Sequence, residues 1–197
     1  MSRVAALPPE SNPDLQDTLE VYRKHLGYVP NSVLIMQRKP KIVKALAQLA
    51  SAVWDKESEV ELGFKRLVAY MASRTHGCNY SMAHAAEAAH RMGVVDAKLA
   101  EVCDYRTSAL FNEAERAALD FAVAAAAQPN AVTEQMFARM KQYWSDAQIV
   151  EIAGAVALNG FLNRWNDTMA PVLETEPVEF GQRYLTPHGW RVGKHRA

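Results

Sequence analysis

The chain has little cysteine and no excess of either charge. Its 197 residues include two cysteines, Cys78 and Cys103, which are too few for a disulfide scaffold. Lys+Arg and Asp+Glu both number 22, so the formal net charge is zero. This balance argues against a broad charged surface for nucleic acid or for anionic membrane. We therefore expect a cytoplasmic protein that binds neither.

Long apolar runs and β-rich alternating runs are also absent from the sequence. No run approaches the roughly 20 apolar residues that span a bilayer. Pro8 and Pro9 interrupt the beginning of the chain, and we expect no signal peptide there. Hydrophobic residues make up 49% of the chain, which is enough to bury a full core in one domain.

Helical periodicity is the main pattern that is present. Leu15, Leu19, Tyr22 and Leu26 have helical spacing, and Gly27 predicts the end of that helix. Capping-box patterns predict helix starts at three places, 58–61, 112–115 and 145–148. The sequence thus predicts an all-α, single-domain bundle of roughly seven or eight helices. We expect an irregular arm over 1–13, the helical domain over 14–176 and an extended tail over 177–197.

The segment around Cys78 is the best candidate for chemistry. Gly77 predicts the end of one helix, and Cys78 lies at or before the first turn of the next, where the helix dipole stabilises a thiolate. Ser81 shares a helix face with both Cys78 and His84, and His76 could add positive charge. Together these features would lower the thiol pKa and prepare a nucleophile. The alternative is that Cys78 only packs in the core of an alanine-rich helix.

Metal binding is not favoured by the sequence. A zinc site could be built from four residues, His76, Cys78, His84 and His90. The spacing of the last two is not the usual helical pair of ligands, and no Cys-x-x-Cys is present. We therefore predict no metal and no cofactor, and we expect Cys103 to serve in core packing.

A polar stripe marks the predicted last long helix, where Asn159, Asn163 and Asn166 follow at steps of four and three. Asparagine is mildly unfavourable inside a helix, so the aligned amides indicate partners. One interpretation is solvent exposure or structural hydrogen bonds. The other places Asn163 near Cys78 or at a subunit interface.

Residues 65–84, with the sequence KRLVAYMASRTHGCNYSMAH, resemble the core of the carboxymuconolactone decarboxylase superfamily, in its alkylhydroperoxidase-D-like branch. The segments 112–119, 144–151 and 161–166 are similar to later helices of that family, so the resemblance covers roughly residues 40 to 175. It implies an all-α AhpD-like fold that assembles into dimers, trimers or hexamers.

The resemblance also implies a thiol peroxidase, in which the second cysteine of Cys-x-x-Cys attacks a peroxide and the first resolves it. Here Cys78 matches the first cysteine and Ser81 stands in place of the second. Arg66 stands where the family has a glutamate, so a proton relay would need Glu59, Glu61 or Glu87. What remains is a peroxidase-like oxidoreductase with a one-cysteine site of Cys78, Ser81 and His84. Such a site would reduce a hydroperoxide with an external thiol.

Two other functions stay open. The decarboxylase branch of the superfamily works without cysteine or cofactor, and His84 with Arg66 or Arg74 could supply its base and its cation. The chain could also be a catalytically silent helical oligomer that binds a ligand.

Overall fold

The architecture is all-α, as the sequence predicts. The computed structural model describes residues 2–197, and over these residues it contains ten α-helices and no strand. The helices are α1 (Gln16–Leu26), α2 (Asn31–Met36), α3 (Pro40–Val53), α4 (Leu62–His76), α5 (Asn79–Arg91), α6 (Asp96–Ala100), α7 (Glu113–Ala126), α8 (Glu134–Met140), α9 (Asp146–Met169) and α10 (Thr175–Phe180). Since α2, α6 and α10 have six residues or fewer, the number of longer helices agrees with the expected seven or eight.

Helix α4 is the centre of the main core. Ten of its 15 residues are buried, and it packs against α5, α7 and α9. The alanines of α5 allow the two backbones to approach closely. Gly77 ends α4 with φ 81°, a left-handed conformation that suits glycine, and its N–H donates to the carbonyl of Ser73 at 3.0 Å. This turn places Cys78 as the N-cap residue of α5.

A second apolar cluster joins the N-terminal helices to the C-terminal half of α9. It contains Leu19 of α1, Leu34 of α2, Leu46 of α3 and Leu158 of α9. Helix α9 therefore links both clusters, and its Asn166 donates a hydrogen bond to the Ser81 hydroxyl in the first turn of α5. No helix among the described residues is long and apolar enough to cross a membrane.

Two of the three predicted capping boxes are confirmed. Asn112 pairs with Glu115 at the start of α7, and Ser145 pairs with Gln148 at the start of α9. The prediction for Ser58 was wrong, because α4 starts at Leu62 without a side-chain cap. The Ser58 hydroxyl instead accepts a hydrogen bond at 2.5 Å from the fully buried ammonium of Lys65. A buried ammonium needs acceptors more than an exposed helix start does.

The tail after residue 176 differs from the extended segment that its prolines and glycines predict. It completes α10, makes one turn of π-helix over Gly181–Leu185, and adds short 3₁₀ turns over Thr186–His188 and Gly193–His195. Buried Leu185 and Trp190 hold it on the core, and the Trp190 indole donates to the Asn79 carbonyl at 2.9 Å. The tail therefore lies against the first turn of α5.

Candidate active site

Cys78 and Ser81 lie together, as expected for residues three apart at a helix start. The thiol Sγ donates to the Ser81 hydroxyl at 3.3 Å, and Cys78 has no exposed surface. Burial raises the pKa of Cys78 to about 11. The hydrogen bond to Ser81 acts in the opposite direction and lowers this pKa, whereas the nearby Asp167 raises it further. The expected lowering of the thiol pKa was therefore wrong. The resting thiol is protonated because burial outweighs the helix dipole.

Two residues that the sequence did not single out approach the thiol. Asp167 lies in the last turn of α9 and His195 lies in the tail. A carboxylate oxygen of Asp167 and a ring nitrogen of His195 lie near Cys78 Sγ. These three atoms all lie within 4.8 Å of one another, and 3.8 Å separates Asp167 Oδ1 from His195 Nε2. The Lys194 ammonium lies 2.9 Å from the same Asp167 oxygen.

The tautomer of His195 follows from its hydrogen bond. Nδ1 lies 2.8 Å from the carbonyl of Pro171, which can only accept, so Nδ1 carries the hydrogen. Nε2 then presents its lone pair towards Asp167 and Cys78, buried and without a hydrogen-bond partner. Burial lowers the pKa of His195, so the ring is neutral at neutral pH. His195 Nε2 is therefore a proton acceptor beside the thiol.

The asparagine stripe of α9 is buried rather than exposed. Asn166 donates to the Ser81 hydroxyl at 3.1 Å and accepts from the Ser32 hydroxyl at 2.5 Å. Asn159 donates to the Ala155 carbonyl within its own helix, whereas neither amide atom of Asn163 has a partner. The residue that joins the Cys78 site is thus Asn166, one turn beyond the expected Asn163.

His84 belongs to a neighbouring group and bonds neither to Cys78 nor to Ser81. Its Nε2 lies 2.8 Å from the Glu174 carboxylate, and its Nδ1 lies 3.5 Å from the hydroxyl of Tyr28. The ring of Tyr80 lies between the two histidines, with centroids 4.6 Å from His84 and 5.4 Å from His195. The structure therefore divides the predicted trio and gives His84 a carboxylate partner from Glu174, the N-cap residue of α10.

Glu174 is almost buried, and three donors surround it. They are the backbone N–H of Asn31 at 2.5 Å, the hydroxyl of Tyr80 at 2.8 Å and the imidazole of His84. Burial alone would raise the pKa of Glu174, but His84 and the hydrogen bonds outweigh it and hold the pKa below its usual value. The expected glutamates do not take this role; Glu87 accepts from Tyr28 at 3.5 Å and pairs with Arg91.

The arginines proposed as carboxylate binders lie in other contacts. The Arg66 guanidinium stacks on the Trp54 ring at 3.7 Å, and burial lowers its pKa to about 10. Arg74 donates to the carbonyl of His188 in the tail. Neither makes a hydrogen bond to His84 among the described contacts.

A cleft of about 530 Å³ opens on another side of α9. Phe121, Phe137 and Arg164 line it, together with Asn163 and His76. His76 is two residues before Cys78, and Asn163 is one turn before Asp167, but Cys78, Asp167 and His195 do not line this cleft.

A family model and solved structures match this chain. The model described as "Carboxymuconolactone decarboxylase family" matches residues 40–124, from the start of α3 into α7. The apo structure of the debrominase Bmp8 is 31% identical, with a TM-score of 0.86, and the match covers 92% of this chain and 97% of that one. A cysteine-to-alanine variant of Bmp8, in complex with 2,3,4-tribromopyrrole, is 30% identical with a TM-score of 0.87, over 93% of this chain and 98% of that one.

Two proteins of lower identity are also similar to this chain, one in structure and one in sequence. A peroxidase-related protein from Ralstonia eutropha JMP134, described as an alkylhydroperoxidase AhpD core, is 20% identical over 89% of this chain and 94% of its own, with a TM-score of 0.78. YnjA of Escherichia coli strain K12, described as uncharacterised, is 26% identical over 150 residues, which are 76% of this chain and 82% of YnjA.

Proposed function

Because the chain belongs to the carboxymuconolactone decarboxylase family, we propose that it is a thiol-dependent reductase that removes an electrophilic halogen from a small aromatic compound. The observation that carries this proposal is a buried thiol, Cys78, beside a proton acceptor, His195 Nε2, with Ser81 in place of a second thiol. Similarity to a debrominase over nearly the whole chain supports a halogen as the atom removed.

In the first step the thiol proton moves to His195. Neutral His195 offers Nε2, and the Asp167 carboxylate on the same side stabilises the imidazolium that forms. The amide groups at the start of α5 stabilise the thiolate, because Cys78 is the N-cap residue. Transfer of this proton converts the protonated resting thiol into a nucleophile.

In the second step the thiolate attacks the halogen atom. A sulfur–halogen bond forms as the carbon–halogen bond breaks, and the carbon keeps the electron pair and takes the proton from His195. An external thiol then attacks the sulfur, releases halide and leaves a mixed disulfide, and a second external thiol restores the Cys78 thiol. Overall, one carbon–halogen bond becomes carbon–hydrogen and two external thiols become a disulfide. External thiols are required because the Ser81 hydroxyl cannot form a disulfide.

The cleft beside α9, which Cys78 does not line, is large enough for a small and largely apolar substrate. Its volume of about 530 Å³ falls in the range usual for small-molecule sites. Phe121 and Phe137, whose rings meet edge to face, would contact a flat aromatic ring.

A hydroperoxide is the second candidate substrate. The same thiolate would attack the terminal oxygen, form a sulfenic acid on Cys78 and release an alcohol that takes the His195 proton. External thiols would then reduce the sulfenic acid through a mixed disulfide. The protonated and buried resting thiol supports either substrate, since both reactions begin with proton transfer to His195.

The test measures bromide release from 2,3,4-tribromopyrrole, and consumption of tert-butyl hydroperoxide, in the presence of excess dithiothreitol. We expect Cys78→Ser to lower bromide release by at least about 1000-fold, because it removes the nucleophile. His195→Gln should lower it by about 100-fold, the usual size of a general-base contribution. Cys103→Ser is the matched control and should retain wild-type activity, since Cys103 contacts Tyr70 outside the site.

The outcomes separate the candidate functions. Hydroperoxide consumption that depends on Cys78, without bromide release, would select the second substrate. Wild-type rates in Cys78→Ser would overturn both. A small carboxylate converted by Cys78→Ser but not by His84→Ala would point instead to the cofactor-free decarboxylase, based on the His84–Glu174 pair. No activity in any arm would favour the silent ligand-binding oligomer.

A further inference from the structure

Three side chains of different chemistry converge in the interior, with their ligand atoms all within 4.8 Å of one another. They are the thiol of Cys78 at the start of α5, the carboxylate of Asp167 at the end of α9 and the imidazole of His195 in the tail. Sulfur, oxygen and nitrogen donors of these kinds form zinc sites in proteins. Three separate segments supply them, so the group depends on the tertiary fold.

The ligand atoms of the three side chains lie only slightly farther apart than the ligand atoms of a zinc site. Bond lengths of about 2.0 to 2.3 Å and tetrahedral angles put neighbouring ligand atoms about 3.3 to 3.8 Å apart. The donor atoms of Cys78, Asp167 and His195 all lie within 4.8 Å of one another, and the Asp167 Oδ1–His195 Nε2 distance is 3.8 Å. Movements of no more than about 1 Å would close the set around one ion.

The surroundings orient these groups as ligands. The Nδ1–H of His195 donates to the Pro171 carbonyl at 2.8 Å, which is how metal-binding histidines are usually held. This hydrogen bond leaves Nε2 with a lone pair, and the atom is buried without a partner in a residue that is only 1% exposed. A buried nitrogen with a free lone pair beside a thiol and a carboxylate is in the environment expected of a metal ligand.

We propose that Cys78, Asp167 and His195 bind one Zn²⁺ ion, with a fourth position left to water or to an exchangeable ligand. The thiol loses its proton to solvent as the sulfur–zinc bond forms. The zinc dication is then bound by two anionic ligands, the thiolate and the carboxylate, and by one neutral imidazole. The proposal is independent of the reductase activity, but its consequence is that zinc would block the Cys78 sulfur.

Lys194 is the competing cation. Its ammonium lies 2.9 Å from Asp167 Oδ1, and its side chain is 44% exposed, so it can turn into solvent when a metal ion takes its place. Removing this competitor should therefore strengthen zinc binding. A site that did not use Asp167 would give no such gain.

The experiment titrates Zn²⁺ into the reduced, metal-free full chain by calorimetry. We expect one ion per chain, and at least about 100-fold weaker binding in Cys78→Ser, Asp167→Asn and His195→Gln, because loss of a supporting partner alone costs 10- to 100-fold. Lys194→Gln should bind more tightly. His84→Gln and Cys103→Ser are the matched controls and should bind as the wild type does.

Cobalt gives a test on the unmodified chain, which matters because the three ligand positions are partly or fully buried and their variants could fold poorly. Co²⁺ bound at the site should show a thiolate-to-cobalt charge-transfer band in the near ultraviolet, and added Zn²⁺ should remove it. No zinc binding, a cobalt complex without the thiolate band, or wild-type affinity in Cys78→Ser would each overturn the proposal.

Discussion

At the scale of single residues, the decisive property of Cys78 is that its thiol is held protonated. Burial raises its pKa to about 11, and the Asp167 carboxylate opposes ionisation further. A protonated, unexposed thiol reacts slowly with general oxidants. The site therefore requires a local proton acceptor, and His195 Nε2 is placed to serve as one.

Replacing Ser81 by cysteine should create a reversible disulfide. The Ser81 oxygen lies 3.3 Å from Cys78 Sγ, so a sulfur on the same Cβ can reach bonding distance after a small rotation. With both native cysteines present, Ser81→Cys should show three free thiols when reduced and one after mild oxidation. Thiol titration in denaturant measures this count.

The same substitution in a Cys78→Ala background is the control for Ser81→Cys. It has no partner sulfur in the site, so it should keep both of its thiols after the same oxidation. Three thiols remaining in oxidised Ser81→Cys would show that the two side chains do not face each other as the structure has them.

Glu174→Gln should destabilise the protein at neutral pH. The carboxylate accepts from Asn31, Tyr80 and His84, and a hydrogen bond to a charged group contributes about 1.5 to 3 kcal/mol. Because folding lowers the pKa of Glu174 from its usual 4.5, its stabilisation is present above that value and is lost as pH falls through the folded-state pKa. The difference in unfolding free energy from wild type should thus shrink below about pH 4.5.

Urea unfolding at several pH values measures this difference. Glu176→Gln, two residues further along and exposed, is the control and should match the wild type throughout. A Glu174→Gln effect that stays constant from pH 7 to pH 3 would contradict the role given to the charge.

One local contact was predicted correctly, whereas the equally local pair of Ser81 and His84 forms no hydrogen bond because His84 bonds to Glu174. Cys78 and Ser81 lie three apart on one helix, so the sequence alone predicts their contact. Asp167 and His195 are 89 and 117 residues beyond Cys78, and only the packing of α9 and the tail brings them there. The same holds for Glu174, 90 residues beyond His84. The spacing of residues along the sequence does not predict contacts between positions that are so far apart.

At the scale of elements, helix ends follow from sequence when the cap is exposed and local. Asn112 and Ser145 cap their helices as predicted; the Ser145 hydroxyl also donates to the exposed Glu59 carboxylate, which leaves it free to accept from the Gln148 N–H. Ser58 has the same pattern, yet its hydroxyl serves the buried Lys65 ammonium. The tail was predicted to be extended because its glycines and prolines exclude long helices, but they do not exclude single turns anchored by Trp190.

Gly181→Ala tests how tightly the tail is packed. A Cβ at Gly181 would lie 2.6 Å from the nearest atom of the Trp190 ring, and a rigid ring cannot turn its end away. We expect a loss of about 1 to 3 kcal/mol in unfolding free energy, as for other overpacked sites. The urea midpoint at unchanged slope gives the value.

Gly154→Ala is the matched control for this substitution. It lies inside α9, and its Cβ would meet only Val53 Cγ2 at an ordinary 3.7 Å. Alanine there should stabilise the helix by about 0.5 to 1 kcal/mol. Gly181→Ala should therefore lower the unfolding free energy, and Gly154→Ala should raise it. An unchanged unfolding free energy in Gly181→Ala would show that Trp190 does not pack as described.

At the scale of the whole molecule, two adjacent helices carry large apolar side chains on their outer faces. Helices α3 and α9 pack together, with Gly154 close to Val53. The exposed residues are Ile42 at 41%, Leu49 at 51%, Val150 at 70% and Phe161 at 44%. Large apolar side chains exposed on two packed helices are candidates for a surface that another subunit covers. The predicted homo-oligomer would use it.

Charged substitutions at these positions should therefore dissociate the predicted homo-oligomer. In the double variant Leu49→Arg and Phe161→Arg, the free-energy penalty of burying two guanidinium groups would exceed the favourable free energy of association. We therefore expect a monomer near the chain mass of 21.9 kDa. Size-exclusion chromatography with light scattering, at several concentrations, measures the mass. Val21→Arg, at an exposed apolar position on α1, is the control and should leave the oligomer intact. A wild-type chain that is already monomeric, or a double variant that keeps the wild-type mass, would show that α3 and α9 do not form the interface.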